Sequence, residues 1–127
     1  MTNQIVKKKT ILLIEDDTFL VKMYKSKFEN EGFIALVAID GEEGLKLALS
    51  EQIDILVLDL MLPKLSGHDL LTRLRKDEKG KSMPVIILTN LSKEDEAKDL
   101  YELGAKEYLV KADLTPTQLV EKIRSHL

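Results

Sequence analysis

Four acids, one hydroxyl and one ammonium each follow directly on a run of apolar residues in this sequence. Asp59 ends the run Ile55–Leu58; Glu15, Asp16 and Asp17 follow Thr10–Ile14; Thr89 follows Val85–Leu88; Lys111 follows Glu107–Val110. Runs of this kind belong in a core, and a carboxylate delivered to the rim of a core must be compensated. Several carboxylates held together stay ionised only beside a cation, or else some take up protons. The chain has no cysteine, and neither histidine falls at these positions. An oxygen-only ligand set favours Mg²⁺, or Mn²⁺, over zinc. Mg²⁺ takes one or two carboxylates, keeps waters and completes its shell with phosphate oxygens, so such a cluster is suited to phosphoryl groups. Asp59 then reads as a nucleophile forming an acyl phosphate, with the cation and Lys111 neutralising the transferring oxygens and Thr89 donating a hydrogen bond. Each residue alone has a plainer use: Asp17 as a helix cap, Asp59 as the cap of a turn, Lys111 as a solvated cation. Their combination is what points to chemistry.

The elements that must position these groups alternate in type. Five short β-rich runs are separated by segments of helical period, the pattern of a doubly wound parallel sheet covered on both faces, an α/β fold. The first strand, Thr10–Ile14, leads to a helix capped by Asp17 or Thr18 and ending near Asn30, with Gly32 as the left-handed residue that stops it. Val21, Tyr24 and Phe28 form its buried stripe, and Phe19, Leu20 and Met23 are expected to widen that stripe, with a partner helix as the alternative. Phe33–Ala38 reads as the second strand, and Asp40 with Glu43 as the opening of a second helix. The third strand, Ile53–Leu58, is apolar on both faces apart from Asp54 and is therefore expected to be central.

After a loop with Pro63 and Gly67, His68–Lys76 is helical and turns Leu70, Leu71 and Leu74 inward. His68 itself reads as solvated. Pro84 precedes strand four, Val85–Leu88. Ser92 reads as a helix cap, Gly104 as a helix stop and Glu107–Val110 as strand five. Thr115, Pro116 and Gln118 open a last helix that buries Leu119, Val120 and Ile123. In such a sheet, right-handed crossovers bring the carboxyl ends of all strands to one edge, which gathers Glu15, Asp16, Asp59, Thr89 and Lys111.

With 127 residues, 44% hydrophobic and 32% charged, the chain is sized for one soluble domain, and no apolar run approaches a bilayer's thickness. Lys7, Lys8 and Lys9 precede only a short apolar run, so no signal peptide is expected and the cytosol is the expected location. Residues 1–9 read as a flexible basic tail before a domain at 10–127. A net charge of −3 argues against nucleic acid as a direct partner.

From about Thr10 to Leu127 these residues resemble the receiver domain of bacterial two-component response regulators. Glu15 and Asp16 take the family's acidic-pair positions, with Asp17 as an extra acid. Asp59, in Leu58 to Pro63, matches the phosphoacceptor, and Met61 the residue that lends its backbone carbonyl to Mg²⁺. Pro63 and Gly67 match the loop shaping that approach, Thr89 the switch hydroxyl, Tyr108 the switch aromatic and Lys111 the phosphate-binding lysine. The resemblance implies the (βα)5 flavodoxin-like fold with strand order 2-1-3-4-5. It also implies a histidine kinase or phosphotransfer protein as donor. The domain would catalyse only its own phosphorylation and dephosphorylation. Tyr108 would turn inward on phosphorylation and bias a surface of helix four, strand five and helix five toward a downstream protein or a homodimer.

Two positions depart from the family pattern. Asn90 stands where a small residue is usual, and Ala112 where a proline with a cis bond is usual. A cis bond before alanine would cost roughly 2.5–4 kcal/mol, so the bond is expected to be trans. Met61 places a thioether near the phosphate and is expected to alter the rate of hydrolysis. It also disfavours an aspartyl-phosphate hydrolase of the haloacid dehalogenase kind, which needs an acid at that position. A flavodoxin-like cofactor binder is disfavoured because Glu15, Asp16 and Asp17 would repel its phosphate. A constitutive binding module on the same fold is the remaining alternative.

Overall fold

Five of the apolar runs form strands in the computed structural model, which describes residues 7–127: β1 (Thr10–Ile14), β2 (Ile34–Ala38), β3 (Ile55–Leu58), β4 (Val85–Thr89) and β5 (Glu107–Val110). Between and after them lie α1 (Thr18–Asn30), α2 (Gly41–Ser50), α3 (Gly67–Lys76), α4 (Lys93–Glu102) and α5 (Pro116–Arg124), with one 3-10 turn at Lys111–Asp113. Every strand pairing is parallel and the order is β2-β1-β3-β4-β5. The expectation of a flexible tail over residues 1–9 falls partly on residues 1–6, outside the described residues; Lys7, Lys8 and Lys9 are exposed.

Alternation along the strands sorts side chains onto two helical layers. Leu12, Ile14, Leu56, Leu58, Val85 and Ile87 pack with Ala48 of α2, Leu70, Leu71 and Leu74 of α3, and Ala97 and Leu100 of α4. Ile11, Leu13, Ile55, Val57, Ile86 and Leu88 face the other way, against Tyr24 and Phe28 of α1 and Leu119, Val120 and Ile123 of α5. β3 lies in the middle of the sheet, as its two apolar faces require.

Local chemistry starts most helices. Asp17 accepts the Leu20 N–H at 3.0 Å, Asp40 that of Glu43 at 2.8 Å and Ser66 that of Asp69 at 3.1 Å. Thr115 and Gln118 complete a reciprocal capping box behind Pro116. Ser92 departs from expectation. It occupies the cap position of α4, but its hydroxyl donates to the Glu94 carboxylate at 2.6 Å and caps no backbone N–H.

Three further expectations need correction. β3 begins at Ile55 rather than Ile53, because the Asp54 carboxylate accepts the Thr10 N–H at 2.7 Å and holds the chain just before the strand. β2 begins at Ile34 rather than Phe33. Phe19 does not join the α1 stripe: it is 74% exposed, whereas Leu20 and Met23 are partly buried against the core.

One side chain ties together the end of the sheet opposite the strand carboxyl termini. Arg75, in the last turn of α3, donates through Nε to the Leu103 carbonyl at 2.7 Å and through Nη1 to those of Gly80 and Met83, both at 2.8 Å. Its Nη2 reaches the Gly104 carbonyl at 3.3 Å. The α3–β4 and α4–β5 connections thus share one guanidinium, whose fork fits several acceptors at once. Arg75→Met removes these donors together and is expected to lower stability by about 2–4 kcal/mol. Urea unfolding measures this, and a loss near zero would mean that water serves those carbonyls equally well.

Candidate functional site

Three polar side chains are buried among the described residues, Glu15, Asp59 and Thr89, and all stand at carboxyl ends of strands. Buried polar groups require a local reason. Strand register supplies the placement. Ile14 pairs with Leu58, so the next residues, Glu15 and Asp59, leave neighbouring strands side by side. The Asp59 N–H still donates to the Ile14 carbonyl at 3.1 Å, and that of Glu15 to Ala38 at 3.0 Å, continuing the ladder through both acids.

Lys111 answers the charge. β4 pairs with β5 up to Thr89 beside Val110, and the chain then enters the 3-10 turn that carries Lys111. Its Nζ lies 2.5 Å from Glu15 Oε1 and 2.7 Å from Asp59 Oδ2, with the ammonium largely buried. Burial opposes the Lys111 charge, but the hydrogen bonds and charges of Asp59 and Glu15 outweigh it and raise its pKa above the ordinary lysine value. Burial pushes the Glu15 carboxyl up, against the pull of Lys111 and of the Asp17 N–H that its Oε2 accepts at 3.0 Å.

Glu15, Asp16 and Asp59 each bring a carboxylate oxygen within 4.8 Å of the others. Three carboxylates against one ammonium leave two negative charges, the charge of one divalent cation, and an all-oxygen set fits a hard one. Asp17 stays outside this group as the α1 cap. Asp59 Oδ1 accepts the Met61 N–H at 3.2 Å, while the Met61 side chain is 62% exposed. The loop then returns closely. Gly67 donates its N–H to the Leu60 carbonyl at 2.9 Å, and a Cβ at Gly67 would overlap the Asp59 carbonyl oxygen. Asn90 and Ala112 are both exposed, and no cis peptide bond occurs among the described residues, as expected before Ala112. His68 is partly buried at the start of α3.

Tyr108 corrects one expectation. Taken by itself it reads as a partly buried aromatic with its hydroxyl in water. The ring is buried, and its hydroxyl donates to the Leu91 carbonyl at 3.0 Å and reaches that of Ser92 at 3.3 Å. Leu91 also donates its N–H to Thr89 Oγ1 at 3.4 Å, so one residue joins the buried threonine to the buried tyrosine. The acceptors lie in the β4–α4 loop, remote in sequence from Tyr108, and no local pattern announces them.

The chain belongs to the response regulator receiver domain family, whose family model matches residues 11–124. It is thus a receiver domain of two-component response regulators. It is 43% identical over 117 residues to the transcriptional regulatory protein CpxR of Escherichia coli (strain K12), covering 92% of this chain and 48% of that protein. The chain spans about half the length of the curated relatives it matches. Its structure is similar to that of a response regulator receiver domain protein (CheY-like) from Methanospirillum hungatei JF-1, with a TM-score of 0.86, 28% identity, and coverage of 94% of this chain and 93% of that one. The receiver domain of sensor histidine kinase PA1611 from Pseudomonas aeruginosa PAO1, with a magnesium ion coordinated in its active-site cleft, shares the fold at a TM-score of 0.85 and 22% identity over 94% of this chain and 98% of that one. No helix among the described residues is long and apolar enough to cross a membrane.

Lys111→Met removes the one cation from a buried acidic pair and is expected to lower stability by about 3 kcal/mol at neutral pH in divalent-free buffer. Lys111 is held above its ordinary value of 10.5 in the fold. The stabilisation is therefore complete below that value and disappears as pH rises through the raised one. Urea unfolding of both proteins at neutral pH and at about pH 11 reads this, and equal stabilities at neutral pH would show that the pair contributes nothing.

Burial, reinforced by Glu96 and Asp59, pushes the Tyr108 phenol up to about 12. The fold therefore holds this phenol neutral, and that contribution to stability is present below the ordinary value of 10 and is lost as pH climbs toward about 12. In an ultraviolet pH titration, Tyr108→Phe is expected to delete the phenolate step near 12; deletion of a step near 10 instead would place the hydroxyl in water.

Proposed function

We propose that this receiver accepts a phosphoryl group on Asp59 from a phosphohistidine of a histidine kinase or phosphotransfer protein. One Asp59 oxygen forms a bond to phosphorus as the P–N bond breaks, and the imidazole departs with that bond's electron pair. The observation that carries the proposal is the Lys111 ammonium held between Asp59 and Glu15 at the ends of β1, β3 and β5, with Asp16 in reach. An ammonium at hydrogen-bond distance from the nucleophile is placed to follow charge onto the incoming phosphoryl oxygens. Mg²⁺, or Mn²⁺, would be held by Glu15, Asp16 and Asp59, with the Met61 carbonyl added by family resemblance, and when bound it supplies charge neutralisation for those oxygens.

The protein in this proposal acts on no external substrate. It catalyses only the gain and loss of its own phosphoryl group. The Thr89 hydroxyl turns toward the phosphoryl group and weakens its contact with the Leu91 N–H. Leu91 carries that change to the Tyr108 hydroxyl and so to the surface of α4, β5 and α5, where a downstream protein or a second copy binds.

Intact-mass measurement after incubation with acetyl phosphate and Mg²⁺ is expected to show one added phosphoryl group, and none when EDTA replaces Mg²⁺. Asp59→Asn is expected to abolish it. Equal labelling of that variant would remove Asp59 as acceptor, and an unlabelled wild type would favour a constitutive binding module.

A further inference from the structure

The loop that leads from Asp59 to α3 is braced from the side by α2, a helix that sends no side chain into the acidic cluster. Gly41, the first residue of α2, is buried and donates its N–H to the Pro63 carbonyl at 3.1 Å. That carbonyl also accepts the Leu65 N–H at 2.8 Å. A Cβ on Gly41 would overlap the Leu65 carbonyl oxygen and press on its carbon and Cβ at 2.7 Å. The obstacle is backbone, which cannot swing aside as a side-chain tip can. Between these contacts Lys64 adopts the left-handed region with φ 70°, and its Nζ lies 3.6 Å from Oδ2 of Asp40, the residue that caps α2. Uncommon backbone conformations in bulky residues persist where the surroundings hold them. At the far end of the loop Gly67 closes back on Leu60.

We propose that Gly41 is a positioning residue for phosphoryl transfer. Its missing side chain lets the first turn of α2 lie against the Leu65 peptide and fixes the loop whose Met61 N–H holds one oxygen of Asp59. The proposal rests on Asp59 being the phosphoacceptor, and its consequence is distinct. A contact on the far side of the loop sets how fast the carboxylate reacts, because a misplacement of about 1 Å outside the reacting groups can lower a rate up to a hundredfold.

Labelling with acetyl phosphate at saturating Mg²⁺, followed by intact mass over time, compares wild type, Gly41→Ala and Gly32→Ala. Gly32 has φ +93° just before β2, at the end of that strand away from the loop, and no other part of the chain comes within 4 Å of the place a Cβ would take, so alanine there strains the backbone without touching the loop. Gly41→Ala is expected to lower the labelling rate at saturating phosphodonor roughly ten- to a hundredfold, whereas Gly32→Ala lowers only the melting temperature and labels at the wild-type rate. Labelling of folded Gly41→Ala at the wild-type rate overturns the proposal.

Lys64→Gly keeps the test decisive if Gly41→Ala does not fold. Glycine accepts φ 70° without strain, so this variant folds, but it loses the Asp40 pair and loosens the loop. Slower labelling by a stably folded Lys64→Gly supports the brace, and wild-type labelling overturns it. A wild type that takes up no phosphoryl group overturns both this proposal and the phosphoacceptor assignment, whereas labelled wild type with equally labelled variants overturns this one alone.

Discussion

The contact on which this structure's chemistry depends is the Lys111 ammonium between Glu15 and Asp59. Parallel register sets the two carboxylates side by side at the rim of the core, where neither can be fully hydrated and where their charges repel. A single ammonium neutralises part of that repulsion and leaves a residual negative charge that includes the exposed Asp16. The cluster is therefore held together by the Lys111 ammonium and keeps a net negative charge. The same low-polarity surroundings that make the acids expensive to bury strengthen every interaction made with an arriving anion or cation.

The elements that create this rim follow from simple sequence rules. Strand positions, the parallel class and the central place of β3 are readable because apolar runs and helical period alternate along the chain. Glu15, Asp16, Asp59, Thr89 and Lys111 are readable as one group because each follows such a run, and the sheet brings those ends to one edge. Strand order is implied only by the family resemblance, since periodicity carries no information about which strands are neighbours. Differences of one or two residues arise where another acceptor takes an N–H from the ladder, as when Asp54 takes that of Thr10 just before β3 and the Phe28 carbonyl takes that of Phe33 just before β2.

Other features lie in contacts between distant parts of the chain. The Arg75 clamp depends on carbonyls that converge only when α3, β4 and α4 are in place, and nothing in its sequence surroundings marks it. Phe19 sits beside Leu20 and near Met23 in sequence, but helix rotation sends it to solvent while the other two reach the core. Gly41 follows a capping aspartate, where a glycine would pass as an ordinary first-turn residue. Its significance appears only when the Leu65 peptide is found against it. In each case the missing information is which backbone comes close, which is a property of the tertiary fold.

Ala112 shows why a missing family feature need not disable the site. A proline and cis bond after the lysine would reshape the chain beyond Lys111, but the lysine is placed by what precedes it. β4 and β5 remain in register through Thr89 and Val110, and the following 3-10 turn begins at Lys111 itself. From that start the four-carbon stem delivers Nζ to both carboxylates, with Ala112 exposed and outside the contact. Strand pairing on one side and two ion pairs on the other therefore determine the ammonium's position. The residue after Lys111 remains free to shape the outer surface toward α5, and Asn90, exposed just beyond Thr89, borders the same rim without entering the charged cluster.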